Sequence, residues 1–415
     1  MKSLRIALLA LAVLSMVGCS TTIVRRVDLT PPKQSSRPIP EDQLLDVGVV
    51  VFDSNIPELY DDIIEANITP EIRRAEANWI VNYTKEYLQA TGNWGAVRAI
   101  PEPSLAVDLL ITGAILHSDG ESQVLQIKAT DSRGVVWFDD IFEARASKYS
   151  YEAGVPRNID PFQTNYRELS DKLLEYQESL TPEEVLEIRS TTLVRYGKDV
   201  VPEAFGDYVL QETNGRYRLN RLPTPDDPTM SNVRQLLERE LVIIDTLDES
   251  FDRFATNMDE PYWIWREQSY PLAIAFREER QRSKTRIASG IVLAVVGAFF
   301  QRQTGGLNEI GGYTAVIGGG TEILGGVRNR NDAKLDQERL HEIGISASQQ
   351  ISPMTIELEN ATITLQGTFE EQYEKAVKYI RETYQRELGN IPDPDSSMDE
   401  STGEETTDEF IQDTE

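Results

Sequence analysis

The stretch Asp46-Val47-Gly48-Val49-Val50-Val51-Phe52 is apolar at almost every position, which predicts a short buried strand. Beyond it the period lengthens. Ile72, Ala75, Trp79, Tyr83 and Tyr87 recur every three or four residues, with Pro70 at the start and Gly92 as the stop, so a helix follows. Trp94 to Arg98 reads as a strand, and Asp108–Leu116, Gln123–Thr130 and Val135–Ala144 as three more. Their separators, Ser118-Asp119-Gly120 and Ser132-Arg133-Gly134, carry turn chemistry. Phe162, Tyr166, Leu169, Leu173, Tyr176 and Leu180 then mark a second amphipathic helix. The order β-α-β-β-β-β-α predicts an α/β sandwich with a mixed sheet over residues 45–180.

Residues 181–286 read as mainly helical. Thr181-Pro182-Glu183-Glu184 combines a capping threonine, proline at the first helical position and glutamate three residues after the cap. Pro202 to Pro228 is an irregular connector with short strands expected near Tyr217-Arg218-Leu219. Ser231 is the expected cap of a helix whose stripe runs through Val233, Leu237, Leu241, Ile244, Leu247, Phe251, Phe254 and Met258. The patch Tyr262-Trp263-Ile264-Trp265 reads as aromatic packing at that helix's end, and a separate cationic helix is expected from Pro271. Residues 328–389 read as a β-hairpin and helix module. In it, a polar helix over 331–350 precedes alternating Thr355–Glu359 and Thr362–Gln366, which flank a two-residue turn at Asn360-Ala361, and an amphipathic helix from Phe369 to Leu388 ends at Gly389. Residues 390–415, acidic and without Lys or Arg, read as a disordered tail. The fold class expected is therefore α+β.

Residues 287–327 differ from everything else. An apolar run from Ile287 to Phe300 carries Gly290 and Gly297. A second weakly polar stretch carries Gly311, Gly318 and Gly325, with Gly312, Gly319 and Gly326 beside them, each set repeating at seven. That repeat places the glycines on one helical face, where another backbone can approach closely. The pattern resembles glycine-zipper segments, and the resemblance implies a tightly packed helical hairpin. Glycine costs about 1 kcal/mol per residue inside a helix, so something must pack on these faces. A buried hairpin, a membrane contact helped by Arg277, Arg280, Arg282, Lys284 and Arg286, and self-association all remain open. Fourteen apolar residues are short for a bilayer core of roughly 30 Å, and Glu322 argues against full burial in lipid.

The N-terminus changes the picture most. Lys2 and Arg5 precede an apolar run from Ile6 to Val17, a layout that predicts a signal peptide over residues 1–18. Met16-Val17-Gly18-Cys19 resembles the lipobox of bacterial lipoproteins, with methionine where leucine is commoner. The resemblance implies a lipid anchor on Cys19, and Ser20 implies sorting to the outer membrane rather than the inner one. Residues 19–44, with Pro31, Pro32, Pro38 and Pro40, then read as a polar tether.

Composition sets limits. The chain of 415 residues, 40% hydrophobic, can bury a real core, and its net charge of −28 argues against nucleic acid as a partner. Cys19 is the single cysteine, so no intramolecular disulfide can form, and the two histidines, His117 and His341, sit in no metal-ligand pattern. No metal or cofactor is expected. No nucleophile elbow occurs, and Gly318-Gly319-Gly320 lacks the lysine of a phosphate-binding loop.

The β order, with Asp108-Leu109-Leu110-Ile111-Thr112-Gly113-Ala114-Ile115, Leu125-Gln126-Ile127-Lys128-Ala129-Thr130-Asp131 and Gly134-Val135-Val136-Trp137, resembles a periplasmic lipoprotein group. That group includes the curli secretion-channel lipoprotein and the lipoprotein activators of penicillin-binding proteins. The resemblance covers residues 46–180 and transfers no functional residue. Channel-forming members also need amphipathic hairpins that join into a barrel, and no such pair is evident here. The expectation is a non-enzymatic binding, assembly or scaffold factor, lipid-anchored on the periplasmic face of the outer membrane, with an envelope protein as partner. The alternative is a homo-oligomeric export or pore component; an envelope hydrolase stands third.

Overall fold

The computed structural model describes residues 30–66, 68–152, 155, 159–224, 226–282, 351–358, 361–367 and 369–387. In chain order these form β1 (Val47–Val50), α1 (Tyr60–Glu65), α2 (Pro70–Gln89), β2 (Val97–Ile100), β3 (Leu109–Ser118), β4 (Ser122–Asp131) and β5 (Val136–Arg145). Then come α3 (Gln163–Ser179), α4 (Pro182–Val200), α5 (Pro202–Phe205), β6 (Val209–Gln211), β7 (Tyr217–Leu219), α6 (Pro228–Arg282), β8 (Ile351–Leu358), β9 (Ala361–Gly367) and α7 (Phe369–Glu387). The fold is α+β around a five-stranded mixed sheet in the order β2-β1-β3-β4-β5. β1 runs parallel to β2 and β3, and β3-β4-β5 is an antiparallel meander.

Because β2 and β3 flank β1 in the same direction, residues 101–108 must cross β1 to start β3. The crossing explains Gly48. A Cβ there would lie 2.7 Å from Ile100 Cδ1 and 3.1 Å from Val107 Cγ2, so the missing side chain is what lets the crossing segment lie close. β1 is buried at all four positions as a result. The other end of the meander is more open. On β4, Gln123, Leu125, Ile127, Ala129 and Asp131 are buried while alternate residues are exposed or half-buried, the one-sided burial typical of an antiparallel sheet.

α2 is buried nearly all round, with thirteen of its twenty residues inside, so it is a central helix rather than a surface one. It packs on β1, β2, α3 and α6. α4 begins as expected: Thr181 Oγ1 accepts from the Glu184 N–H, and the Glu184 carboxylate accepts from the Thr181 N–H at 2.8 Å.

Four expectations need correcting. β2 starts three residues later than the segment beginning at Trp94: Trp94 and Gly95 bend, and Gly95 N–H donates to the Leu45 carbonyl (2.9 Å) and Ala96 N–H to Asp46 Oδ1 (2.8 Å) just before the strand begins. The helix expected from Ser231 starts instead at Pro228, where Asp227 Oδ1 accepts from the N–H groups of Thr229 (2.9 Å) and Met230 (3.2 Å) and so serves as the cap. It then continues through Pro261 and Pro271 as one helix of 55 residues, about 80 Å long. Each proline removes a donor and leaves the carbonyl four residues earlier without its helical partner. Packing of Met258, Tyr262, Trp263 and Arg266 outweighs that loss, so the aromatic patch lies inside a helix.

The C-terminal hairpin has the expected face, with Ile356 opposite Ile363 and Met354 opposite Leu365, but Leu358 pairs with Ala361, which moves the connection to residues 359–360. α7 packs against β9 and α6, and its Tyr373, Ala376 and Ile380 join the core that also holds Val47, Trp79 and Leu247.

Candidate functional site

Cys19 and the glycines Gly290, Gly297, Gly311, Gly312, Gly318, Gly319, Gly325 and Gly326 lie outside the described residues, as do the helix expected over 331–350 and the tail over 390–415. What the described residues bring together is a cluster of side chains from distant parts of the chain.

Its centre is Glu240 on α6, a carboxylate with only 3% of its surface exposed. Tyr196 on α4 donates to Oε2 (2.8 Å), and Tyr373 on α7 (2.9 Å) and Ser104 in the crossing segment (3.1 Å) donate to Oε1. Arg381 on α7 stands 3.9 Å from Oε2 and is paired with Asp199 on α4 at 2.7 Å. Burial pushes both phenols far above the ordinary tyrosine range, and the neighbouring Glu240 charge pushes the same way, so both stay protonated and act as donors. A cleft of about 450 Å³ opens beside the cluster, lined by Pro103, Leu105, Glu374, Val377 and Lys378 among others. A carboxylate that already accepts three hydroxyl protons is poorly placed to take another from a substrate. The arrangement ties four elements together, and it fastens α7, which follows residues 283–350, to α6, which precedes them.

A second buried network holds the far part of α6. Arg266 and Asp160, 2% and 3% exposed, are paired at 2.6 Å. The guanidinium also lies over the rings of Tyr262 (4.2 Å) and Trp79 (5.1 Å). Burial alone would lower its pKa, but the Asp160 charge overrides this and raises it, so the group is cationic. Glu76 on α2 accepts from both Tyr262 and Ser118, and Arg73 lies 3.4 Å from its other oxygen. Tyr262 Oη thereby links α6 to α2, and Ser118 links both to the β3–β4 turn. At that turn Gly120 permits contact: a Cβ there would lie 2.3 Å from the Arg266 carbonyl and 2.4 Å from the Tyr270 nitrogen. Arg277 closes the seam on Glu121 at 2.8 Å.

Trp137 and Gly134, part of the strand pattern noted in the sequence, have structural duties. Gly134 takes φ +74° in the turn, and Trp137 Nε1 donates to Asp131 (3.1 Å) while its ring stacks on Tyr176 with centroids 4.5 Å apart. Asp139 and Asp140 point to opposite faces, one bonded to Gln126 and the other to Lys172. His117 pairs with Asp119 at 3.0 Å. Among the described residues no group of three His, Cys, Asp or Glu side chains is placed to hold a metal ion, and no helix is long and apolar enough to cross a membrane. Scans against protein-family models, curated proteins and solved structures each found no match.

Nothing in the sequence marked Glu240, Ser104, Tyr196, Tyr373 and Arg381 as a set. They come from four elements, and their spacing carries no motif.

Proposed function

We propose that the protein is a lipid-anchored component of a bacterial cell envelope, attached through Cys19 on the periplasmic face of the outer membrane. There it acts as a non-enzymatic binding or assembly factor. Its α/β body holds an envelope protein partner, and the glycine-rich residues 287–327 add a second contact.

The observation that carries this reading is α6. It packs along α2, β2 and α4 for its first half, is fastened by Arg266 and Arg277 in its second, and leads straight into the glycine-rich stretch. α7, which follows the β8–β9 hairpin later in the chain, is fastened to α6 at Glu240. The helices before and after residues 283–350 are thus tied to one body, which suits a scaffold that holds a partner in register. The engaged state of Glu240 supports a binding role over catalysis.

The anchor is tested by Cys19→Ser followed by fractionation. The variant is expected in the soluble fraction, with the wild type in the membrane. Equal membrane association of the two would remove the lipid from the account.

A further inference from the structure

The polar tether expected over residues 19–44 is not free along its whole length. From Lys33 onward its backbone is gripped by the body. Lys33 N–H donates to Asp171 Oδ1 on α3 (2.8 Å), and the Asn93 side chain holds the chain on both sides of Gln34. Asn93 Nδ2 donates to the Lys33 carbonyl (3.1 Å), and its Oδ1 accepts from the Ser35 N–H (3.0 Å). Ser35 Oγ reaches Glu178 at 3.2 Å, and Arg189 on α4 donates to the carbonyls of Glu41 (3.3 Å) and Asp42 (2.8 Å).

Asn93 is built for this. Gly92 ends the α2 turn at φ +68°, a conformation that glycine adopts without strain, and Asn93 N–H then donates to Thr91 Oγ1 (3.2 Å). The side chain is thereby fixed in a buried position, 2% exposed, with its amide turned to the passing backbone. An amide that both donates and accepts across one residue recognises an extended strand and not a particular side chain. The hydrogen bonds named here hold residues 33–42 by their backbone and polar groups, and Leu45 is the first fully buried apolar residue after them. A grip made of a few hydrogen bonds is reversible, since each is worth only about 1 kcal/mol net.

We propose that residues 33–44 are a releasable strap that sets how far the body can stand from the membrane. This rests on the reading of Cys19 as the lipid-bearing residue. With the strap gripped, fourteen residues separate the anchor from its first fixed point, a reach of at most about 50 Å. With it released, the fixed point moves to Leu45, and twenty-six residues allow about 90 Å. Asn93, Asp171 and Arg189 together thus hold the body near its own membrane, and release of all three extends it toward a partner farther off.

The test uses the mature lipoprotein in vesicles of neutral phospholipid, digested briefly with trypsin and followed by mass spectrometry. The Lys33–Gln34 bond lies inside the Asn93 grip, while the bond after Arg26 precedes it and serves as reference. Ser35→Pro removes the gripped N–H together with the hydroxyl that reaches Glu178, and Asn93→Ala removes both amide bonds while the contacts of Asp171 and Arg189 stay. In the wild type, cleavage after Lys33 is expected to be slow relative to cleavage after Arg26. Both variants should raise that ratio by roughly fivefold for each hydrogen bond lost, about thirtyfold for two. Neutron reflectometry on a supported bilayer should show the variant body farther out. Equal cleavage after Lys33 and Arg26 in the wild type, or an unchanged ratio in Ser35→Pro, overturns the strap, and raised cleavage with no gain in height overturns its role in reach. If the protein fails to hold to vesicles the anchor reading falls, while the cleavage ratios, measured in solution, still judge the grip.

Discussion

Replacing Arg266 with methionine keeps most of the side chain's length and removes its charge. Asp160 would then be buried at 3% exposure without its partner at 2.6 Å, keeping, among the described residues, the Phe162 N–H on its other oxygen at 2.8 Å. Removing one member of a buried ion pair costs about 3–5 kcal/mol, because the remaining charge is left desolvated. Loss of the ring contacts with Tyr262 and Trp79 adds to this, at about 1–2 kcal/mol for a desolvated cation over an aromatic face. Denaturant unfolding followed by tryptophan fluorescence reads the effect directly, since Trp79 and Trp263 border the site. A double variant, Arg266→Met with Asp160→Leu, should recover a large part of the loss, because no lone charge remains. Amide exchange should quicken in α6 beyond Pro261 in the single variant, since Arg266 is a buried hold on that part beside Tyr262. A loss below about 1 kcal/mol in Arg266→Met, or a double variant worse than the single one, would refute the claim that this pair fastens α6.

Three further outcomes follow from the same contacts. Glu240→Ala leaves the hydroxyls of Ser104, Tyr196 and Tyr373 without their acceptor, which should cost on the order of 3 kcal/mol and raise amide exchange in α7 before other elements; unchanged protection in α7 would count against the fastening role. Gly120→Ala drives a methyl into α6 backbone atoms and should cost about 1–3 kcal/mol, measured by denaturant midpoint, whereas an unaltered midpoint would mean the β3–β4 turn is not held there. Burial alone would raise the Asp119 carboxyl, but the hydrogen bond from His117 and the N–H groups of Ser122 and Glu121 hold it below the usual range. A folded-state pKa below the unfolded one means that Asp119 stabilises the fold above its unfolded pKa, near 4, and loses this as pH falls through the folded value. The stability gap between wild type and Asp119→Asn should therefore be level at neutral pH and shrink in acid; a gap that widens in acid would reverse the sign.

The meander and the two ends of α2 were legible because strand alternation, turn chemistry and Pro70 with Gly92 all point one way. The capping box at Thr181 was legible for the same reason. The interior of α2 was not. Glu76 and Lys85 are charged residues outside the apolar set Ile72, Ala75, Trp79, Tyr83 and Tyr87, and they are buried because α6, more than 140 residues later in sequence, lays Tyr262, Asp248 and Asp252 against them. Local pattern cannot anticipate a partner so distant. α6 itself was split in two because Pro261 and Pro271 carry strong local signals against helix, about 3 kcal/mol each, and tertiary packing overrode both. Lys33 to Asp42 has no periodicity and so reads as a polar tether; backbone recognition by Asn93 needs none. The cluster at Glu240 was invisible for a related reason, since three hydroxyls and a carboxylate drawn from four elements leave no spacing to read.

The central claim, a lipid-anchored binding factor rather than a pore, is tested most directly by the native mass of the detergent-solubilised mature protein, set beside a soluble form beginning at Thr21. The account predicts a monomer in both. A ring-sized oligomer of the anchored form, lost when residues 287–327 are deleted, would contradict it and make the glycine-rich segment the assembly element of a pore.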